Sequence, residues 1–238
     1  MRSLTALLVL SLCAAAAATA VAQTCEAVSG PMVPLVVELY TSEGCNSCPP
    51  ADRWLSTLKG RPNVITAAFH VDYWDRLGWR DRFSSAAYTE RQAKSQAWSG
   101  ARFSYTPQVQ IDGRDQQPWA TWQATRGQPA HVTLSLTRRG SGVQLLATGQ
   151  AGAPQRLELW WAVLEDGLVS DVKAGENAGV TLHHDAVVRS YGVAPAWSAE
   201  QPRELALPAP VGKQRLLAVV TDAATHRTAQ ALELSCPG

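Results

Sequence analysis

At 238 residues, with 46% hydrophobic and 17% charged side chains, the chain has the composition of a globular protein and enough length for two modest domains. Its 21 basic and 20 acidic residues leave a formal net charge of +1 with no long run of either sign, so neither nucleic acid nor an anionic membrane surface is an expected partner.

Residues 1–22 read as a secretory signal peptide: Arg2 is the only charge, Leu4 to Ala18 is apolar, and Ala20-Val21-Ala22 supplies small residues for cleavage. Leu12 before Cys13 argues against a lipid-modified cysteine, and the apolar stretch is short for a retained anchor. A secreted or periplasmic location follows, with no membrane contact after cleavage. Four cysteines then remain, Cys25, Cys45, Cys48 and Cys236, and an oxidising compartment favours their pairing. The spacing suggests Cys45 with Cys48. That leaves Cys25 and Cys236, at the two ends of the mature chain, as a structural clasp.

The first predicted strand is the apolar run Leu35 to Tyr40. It leads into Cys45-Asn-Ser-Cys48-Pro49-Pro50, and a helix follows with Ala51, Trp54, Leu55 and Leu58 on one face, ended by Gly60. Asn63 to Val71 forms a second strand, so strand, helix and strand follow in parallel order with the thiols at the first turn. Each proline biases its predecessor towards extended angles, which would delay the helix until about Pro50. An aromatic and charged loop, Asp72 to Asp81, precedes a helix over Ser84 to Ala97. Val109 and Ile111 alternate in a strand that Asp112-Gly113 turns into a hairpin, and a last short helix is expected over Gln117 to Thr125.

From about His131 the pattern changes to six short alternating runs, at 131–138, 143–149, 157–164, 184–191, 216–221 and 228–234. Their spacing favours an all-β, sandwich-like domain. The expected organisation is therefore a signal peptide (1–22), an α/β domain (23–126) and a β-sandwich-like domain (127–238), with Gly127 to Ala130 as linker.

A Cys-x-x-Cys serves redox chemistry, zinc binding or a plain structural disulfide. Zinc usually draws on a second pair or on histidines, and no second pair exists here. A strand-turn-helix setting favours an accessible, activated thiolate. His70 and Asp72 share a face at the end of the second strand, as accessory groups for proton transfer; the plainer reading is a hydrogen-bonded His70 with Asp72 and Asp75 capping the loop. Cys45, Cys48 and His70 together also compose a Cu(I) ligand set. Trp74, Trp79 and Trp98 offer an apolar lip for an unfolded polypeptide or plugs for the core. His183, His184 and Glu176 are read as turn and strand residues, since neighbours in a strand face opposite sides.

Over about Pro34 to Arg126 the sequence resembles the thioredoxin superfamily, with Thr106-Pro107 some sixty positions after the cysteines and ahead of a strand. The words Thr-Ser-Glu-Gly-Cys-Asn-Ser-Cys-Pro-Pro-Ala-Asp, His70-Val-Asp-Tyr-Trp-Asp75, Tyr105-Thr-Pro-Gln108 and Gly175-Glu-Asn-Ala-Gly179 resemble an uncharacterised family of secreted bacterial thioredoxin-like proteins, domain of unknown function 1223. The resemblance implies Cys45 as attacking thiol, Cys48 as resolving thiol, and Thr106 with a cis Pro107 as the edge that aligns a substrate. It implies no dissociable cofactor and protein thiols or disulfides as partners. Two features depart from thioredoxin: Leu39 stands where a buried acid is expected, with Glu38 on the opposite face, and two prolines follow the second cysteine. Which thiol ionises first stays open, with Glu43 opposing Cys45 and Arg53 able to assist either. The readings carried forward are a thiol-disulfide oxidoreductase, a copper-binding module, and a non-catalytic disulfide-stabilised binding protein.

Overall fold

The computed structural model describes residues 25–125 and 127–236; the signal peptide expected over 1–22 lies outside them. In chain order the elements are β1 (Glu26–Val28), β2 (Leu35–Thr41), α1 (Pro49–Ser56), β3 (Val64–His70), α2 (Ala86–Ser99), β4 (Gln108–Ile111), β5 (Arg114–Asp115), β6 (Val132–Arg139), β7 (Gly142–Gly149), β8 (Arg156–Glu165), β9 (Leu168–Asp171), β10 (Thr181–His184), β11 (Val187–Ser198), β12 (Arg203–Pro208), β13 (Arg215–Asp222) and β14 (Thr228–Ser235).

One eight-stranded mixed sheet, in the order β14-β13-β8-β11-β3-β2-β4-β5, runs through the molecule. β2 and β3 pair in parallel, Leu35 opposite Val64 through Thr41 opposite His70, while β4 runs antiparallel to β2. Beyond β3 the sheet continues: β11 runs parallel to it at Val187 opposite Ala68, and the Ala68 amide donates to the Ala186 carbonyl at 2.8 Å. A second sheet, β1-β6-β7-β12, covers the β8-β13-β14 end through Leu134, Leu136, Leu145, Leu159, Leu216 and Ala218, all buried. The hairpin β9-β10 stands apart from both sheets.

The expected fold class, an α/β thioredoxin-like domain followed by an all-β domain, is therefore corrected. Fourteen strands and two α-helices are formed among the described residues, and the strands of the two expected domains join in one sheet. The helix expected over Gln117 to Thr125 does not form. Trp119 and Trp122 instead fold onto Trp54 of α1, at ring centroid distances of 5.4 and 6.3 Å. The segment expected to link two domains is also held, because Val33 N–H donates to Gln128 O and Ala130 N–H to Pro31 O.

Packing against both faces of β2 explains the long sheet's central position. Val37 and Leu39 face α1, joining Leu55, Leu58 and Val109. Val36 and Tyr40 face α2 and join Phe69, Tyr88, Trp160 and Val219, a cluster drawn from strands on both sides of the β3-β11 seam. Burial of this kind contributes roughly 1.5 to 3 kcal/mol per large apolar side chain.

Cys25 and Cys236 are joined in a disulfide with their Cα atoms 5.5 Å apart, closing the chain over a separation of 211 residues. Both pack against the core between the two sheets. Because a cross-link over so long a loop restricts the unfolded chain strongly, the double variant C25S/C236S is expected to lose about 2 to 5 kcal/mol of stability, measured by urea unfolding. An unchanged midpoint would contradict the clasp.

Candidate functional site

The site lies where β2 and β3 end and α1 begins. Cys45 and Cys48 are joined in a disulfide, Cα atoms 5.4 Å apart, and neither residue is exposed to solvent. Asn46 and Ser47, between them, are exposed. The Ser47 hydroxyl lies 3.3 Å from Cys45 Sγ.

Cys48 caps α1 in helical geometry, with φ −78° and ψ −38°, and Pro49 is the first helical residue. The extended geometry expected before Pro49 is overridden, since Cys48 N–H bonds to Cys45 O and the Cys48 carbonyl accepts from both Ala51 N–H (2.8 Å) and Asp52 N–H (3.1 Å). One consequence is chemical. Pro49 and Pro50 carry no N–H, and the next two donors are spent on Cys48 O, so α1 presents no free backbone donor to a thiolate. Arg53, expected to assist a thiol, is exposed on α1. The available donor is the Ser47 hydroxyl.

Near the cysteine loop is a group of buried polar side chains from five segments, the β2–α1 loop, α1, β3, the β3–α2 loop and β10. Glu43, two residues before Cys45, receives the Trp79 indole N–H at 2.7 Å, and its other oxygen faces His184 Nε2 at 3.4 Å, an ion-pair distance without hydrogen-bond geometry. Asp81 bonds His70 Nδ1 at 2.6 Å and accepts the Glu43 backbone N–H at 2.9 Å through the same oxygen. The His70 and His184 rings meet edge to face, 5.0 Å between centroids, with Phe83 against both. Asp52 of α1 accepts the Thr41 hydroxyl at 3.2 Å. Glu43, His70, Asp81, His184 and Asp52 are all buried.

Their protonation follows from burial set against neighbours. Burial lifts the Asp52 carboxyl above its ordinary value, only partly countered by His184 and His70. For His70, burial opposes the imidazolium, but the Asp81 carboxylate outweighs it and the ring titrates above its usual value. Burial likewise opposes ionisation of Asp81 and of Glu43, yet both are held low, Asp81 by His70 and backbone N–H groups, Glu43 by His184 and Trp79.

A cap from the loop between β9 and β10 closes over the cysteines. The Asn177 amide donates to Glu43 O at 2.8 Å and to Cys45 O at 3.0 Å, and Glu176 accepts the Asn46 backbone N–H at 3.1 Å. Gly175, with φ +74°, rests against Trp79; an added Cβ would meet Trp79 Cβ at 3.3 Å. On the other side Trp74 donates to Thr106 Oγ1 at 2.8 Å, and a Cβ on Gly44 would lie 3.0 Å from Trp74 Cβ. Thr106–Pro107 is cis, and the pairing of Tyr40 with Gln108 sets Pro107 beside the end of β2.

Among the residues expected from sequence, Cys45, Cys48, His70, Thr106 and Pro107 thus gather at this end of the sheet. Asp72 does not join them: it accepts the Thr89 hydroxyl at 2.6 Å, while Asp75 accepts from Asp81 N–H and Ser84. Trp98 stacks on His226 at 4.1 Å, outside the group. Cys45, Cys48 and His70 do not form a copper set here: the sulfurs are bonded to each other, and no three metal-ligating side chains converge among the described residues. Asp81, Asp52, His184 and Asn177 were not expected at the site. The four-residue step from Cys48 to Asp52 on one helix was the readable signal for Asp52.

Fold and site together define a β-rich protein of two large sheets and a separate hairpin, whose buried Cys-x-x-Cys disulfide adjoins a polar cap and is flanked in the chain by buried ionisable residues. The chain belongs to the family described as "Protein of unknown function (DUF1223)", whose model matches residues 36–221. It is similar to the crystal structure of protein AGR_C_4864 from Agrobacterium tumefaciens, at 26% identity and TM-score 0.68, over 87% of this chain and 96% of that one. HBP35 of Porphyromonas gingivalis has a similar fold at 13% identity and TM-score 0.58, over 86% of this chain and 76% of that one. Among curated proteins, none matches.

Two outcomes follow from the geometry. Removing both donor bonds with Asn177→Ala is expected to cost about 1 to 3 kcal/mol and to speed reduction of Cys45–Cys48 by dithiothreitol about tenfold, read by thiol alkylation and mass spectrometry. A rate equal to wild type would mean that the cap does not limit access. For pH, stability relative to His70→Asn should be full below the ordinary histidine value of 6.5 and decline as pH rises through the raised folded value. The Asp81 contribution, full above 3.8, should fade as pH falls through its depressed value. Thermal unfolding of both proteins from pH 3 to 9 measures this, and a constant difference across that range would refute it.

Proposed function

We propose that the protein is an extracytoplasmic thiol-disulfide exchange protein that works through Cys45 and Cys48. The observation that carries this reading is that the pair is flanked in the chain by buried Glu43 and by buried Asp52, whose N–H bonds to Cys48 O, and that Glu43 joins His70, Asp81 and His184 in one buried ionisable group. A structural staple needs no buried ionisable groups near it, and burying them is costly. A dithiol that gains and loses protons with its electrons can use them for proton transfer. Two disulfides in one chain support a location outside the reducing cytoplasm.

In the oxidising direction a substrate thiolate attacks Cys45 Sγ, the Cys45–Cys48 bond breaks, and Cys48 leaves as a thiolate. The mixed disulfide is resolved by a second substrate thiolate, which attacks the substrate sulfur and releases Cys45. Two electrons pass from the substrate dithiol to the cysteine pair, and the substrate leaves as a disulfide. The reverse sequence reduces a substrate disulfide, with Cys45 as nucleophile and Cys48 as resolving thiol. In this reading Ser47 stabilises the Cys45 thiolate by donation, and Asp52, one helical turn after Cys48 and lifted above its ordinary value, serves as the group that exchanges the Cys48 proton. Because both sulfurs are buried, exchange requires local opening, and residues 176 and 177, bonded to Asn46 N–H and Cys45 O, are the segment expected to yield. Trp74, bonded to Thr106 Oγ1, packs against Gly44 beside the cysteine loop.

Full burial of the pair favours a second reading, a purely structural staple. Insulin reduction and reduced-ribonuclease refolding separate the two. Wild type is expected to catalyse at least one, Cys45→Ser to abolish it, and Ser47→Ala to lower the rate several-fold and raise the Cys45 pKa. No catalysis by wild type in either assay, or activity that survives Cys45→Ser, would overturn the exchange reading.

A further inference from the structure

A cavity of about 660 Å³ lies on the α2 face of the long sheet, and neither Cys45, Cys48 nor any member of the buried polar group near them lines it. Its size is that of a small-molecule site. Trp98, Trp160 and Tyr191 line it with Val193, Ala194 and Pro195, so its walls are aromatic and aliphatic. Trp98 already stacks flat on a neighbour there, the His226 ring, at 4.1 Å.

A rigid polar pair lies in this apolar setting. The Arg91 guanidinium is held among the rings of Phe69, Trp160 and Tyr191 at 4.9, 4.4 and 5.0 Å, and donates to the Tyr191 hydroxyl at 3.0 Å. Glu38, only 4% exposed, receives three bonds on one oxygen: Arg91 Nη2 at 2.7 Å, Arg91 Nε at 3.1 Å and the Tyr40 hydroxyl at 3.3 Å. All three go to Oε2. Among the described residues no hydrogen bond to Oε1 is found, and Glu38 lines the cavity. A nearly buried carboxylate oxygen with no donor is a place for a ligand donor.

At the Glu38 end of the cavity the charges answer one another: Glu38 pairs with Arg91 and Glu90 with Lys94, so no net field acts there to select a charged ligand. We propose that this cavity binds a small, neutral, flat aromatic molecule carrying one hydrogen-bond donor, with the ring against the tryptophan and tyrosine walls and the donor on Glu38 Oε1. The site is independent of the exchange reading.

Indole and benzofuran test it, because they share size and shape while only indole carries an N–H. Titrated into the full chain and followed by amide chemical shifts, indole is expected to move the signals of Glu38, Tyr191, Val193 and Ala194 saturably. Benzofuran is expected to bind at least tenfold more weakly, since a site with an unpaired acceptor discriminates against a ligand that lacks the donor. Ala87→Trp, at an exposed cavity-lining position on α2 one helical turn before Arg91, is expected to fold normally and to block indole. Unmoved signals up to the solubility limit of indole, equal affinity for benzofuran, or undiminished binding to folded Ala87→Trp would each overturn the proposal.

Discussion

Pairing of β11 with the outer edge of β3 is the constraint on which the rest of the structure depends. The direct ladder is short, Val187 against Ala68 with one further bond from Ala68 to Ala186, yet it joins strands from the two halves of the chain into one sheet. Side chains hold what the ladder begins: Phe69 of β3 contacts Trp160 and Tyr191, from β8 and β11, at 6.0 and 5.8 Å between centroids. Because β11 begins level with the end of β3, the residues just before it are delivered to the same end of the sheet. That places His184 against His70 and carries the β9-β10 hairpin, with Asn177 at its loop, over the cysteines.

The seam therefore makes the site a composite. Glu43, Asp52, His70 and Asp81 come from the first half of the chain, His184 and the cap from the second, and neither half alone supplies the arrangement. Burial of five ionisable groups is tolerable only because they answer one another and nearby backbone donors. Asp81 shows the economy of this, with one oxygen serving both His70 and the Glu43 amide. The same burial that raises Asp52 also hides the sulfurs, so the chemistry proposed for the pair and its gating by residues 176 and 177 have a common physical origin.

Much of the local structure is legible in the sequence. The continuous apolar run of β2, the alternation in β6 to β8 and the Cys-x-x-Cys between strand and helix each express a short-range rule. Gln117 to Thr125 misleads because Trp119 and Trp122 have helical spacing, while their role is to cover Trp54 after Pro118. The larger error, two separate domains of different class, has a similar cause: a strand pairing across more than a hundred residues leaves no mark in periodicity. His184 was readable as the inward member of an alternating pair, buried while His183 is exposed, but what it faces depends on the seam. Asp72, paired by alternation with His70, is drawn away by Thr89 of α2, a partner that no local pattern announces.

The central claim is that Cys45–Cys48 is a working redox pair whereas Cys25–Cys236 is a clasp. Equilibration of the native protein in a series of glutathione redox buffers, followed by acid quenching, alkylation and peptide mass spectrometry, tests it on both bonds at once. The account predicts reversible reduction of Cys45–Cys48 with a potential above about −300 mV, while Cys25–Cys236 stays oxidised throughout. If Cys45–Cys48 resists reduction in the folded protein as the terminal bond does, and opens only on unfolding, the pair is a staple and the account is wrong.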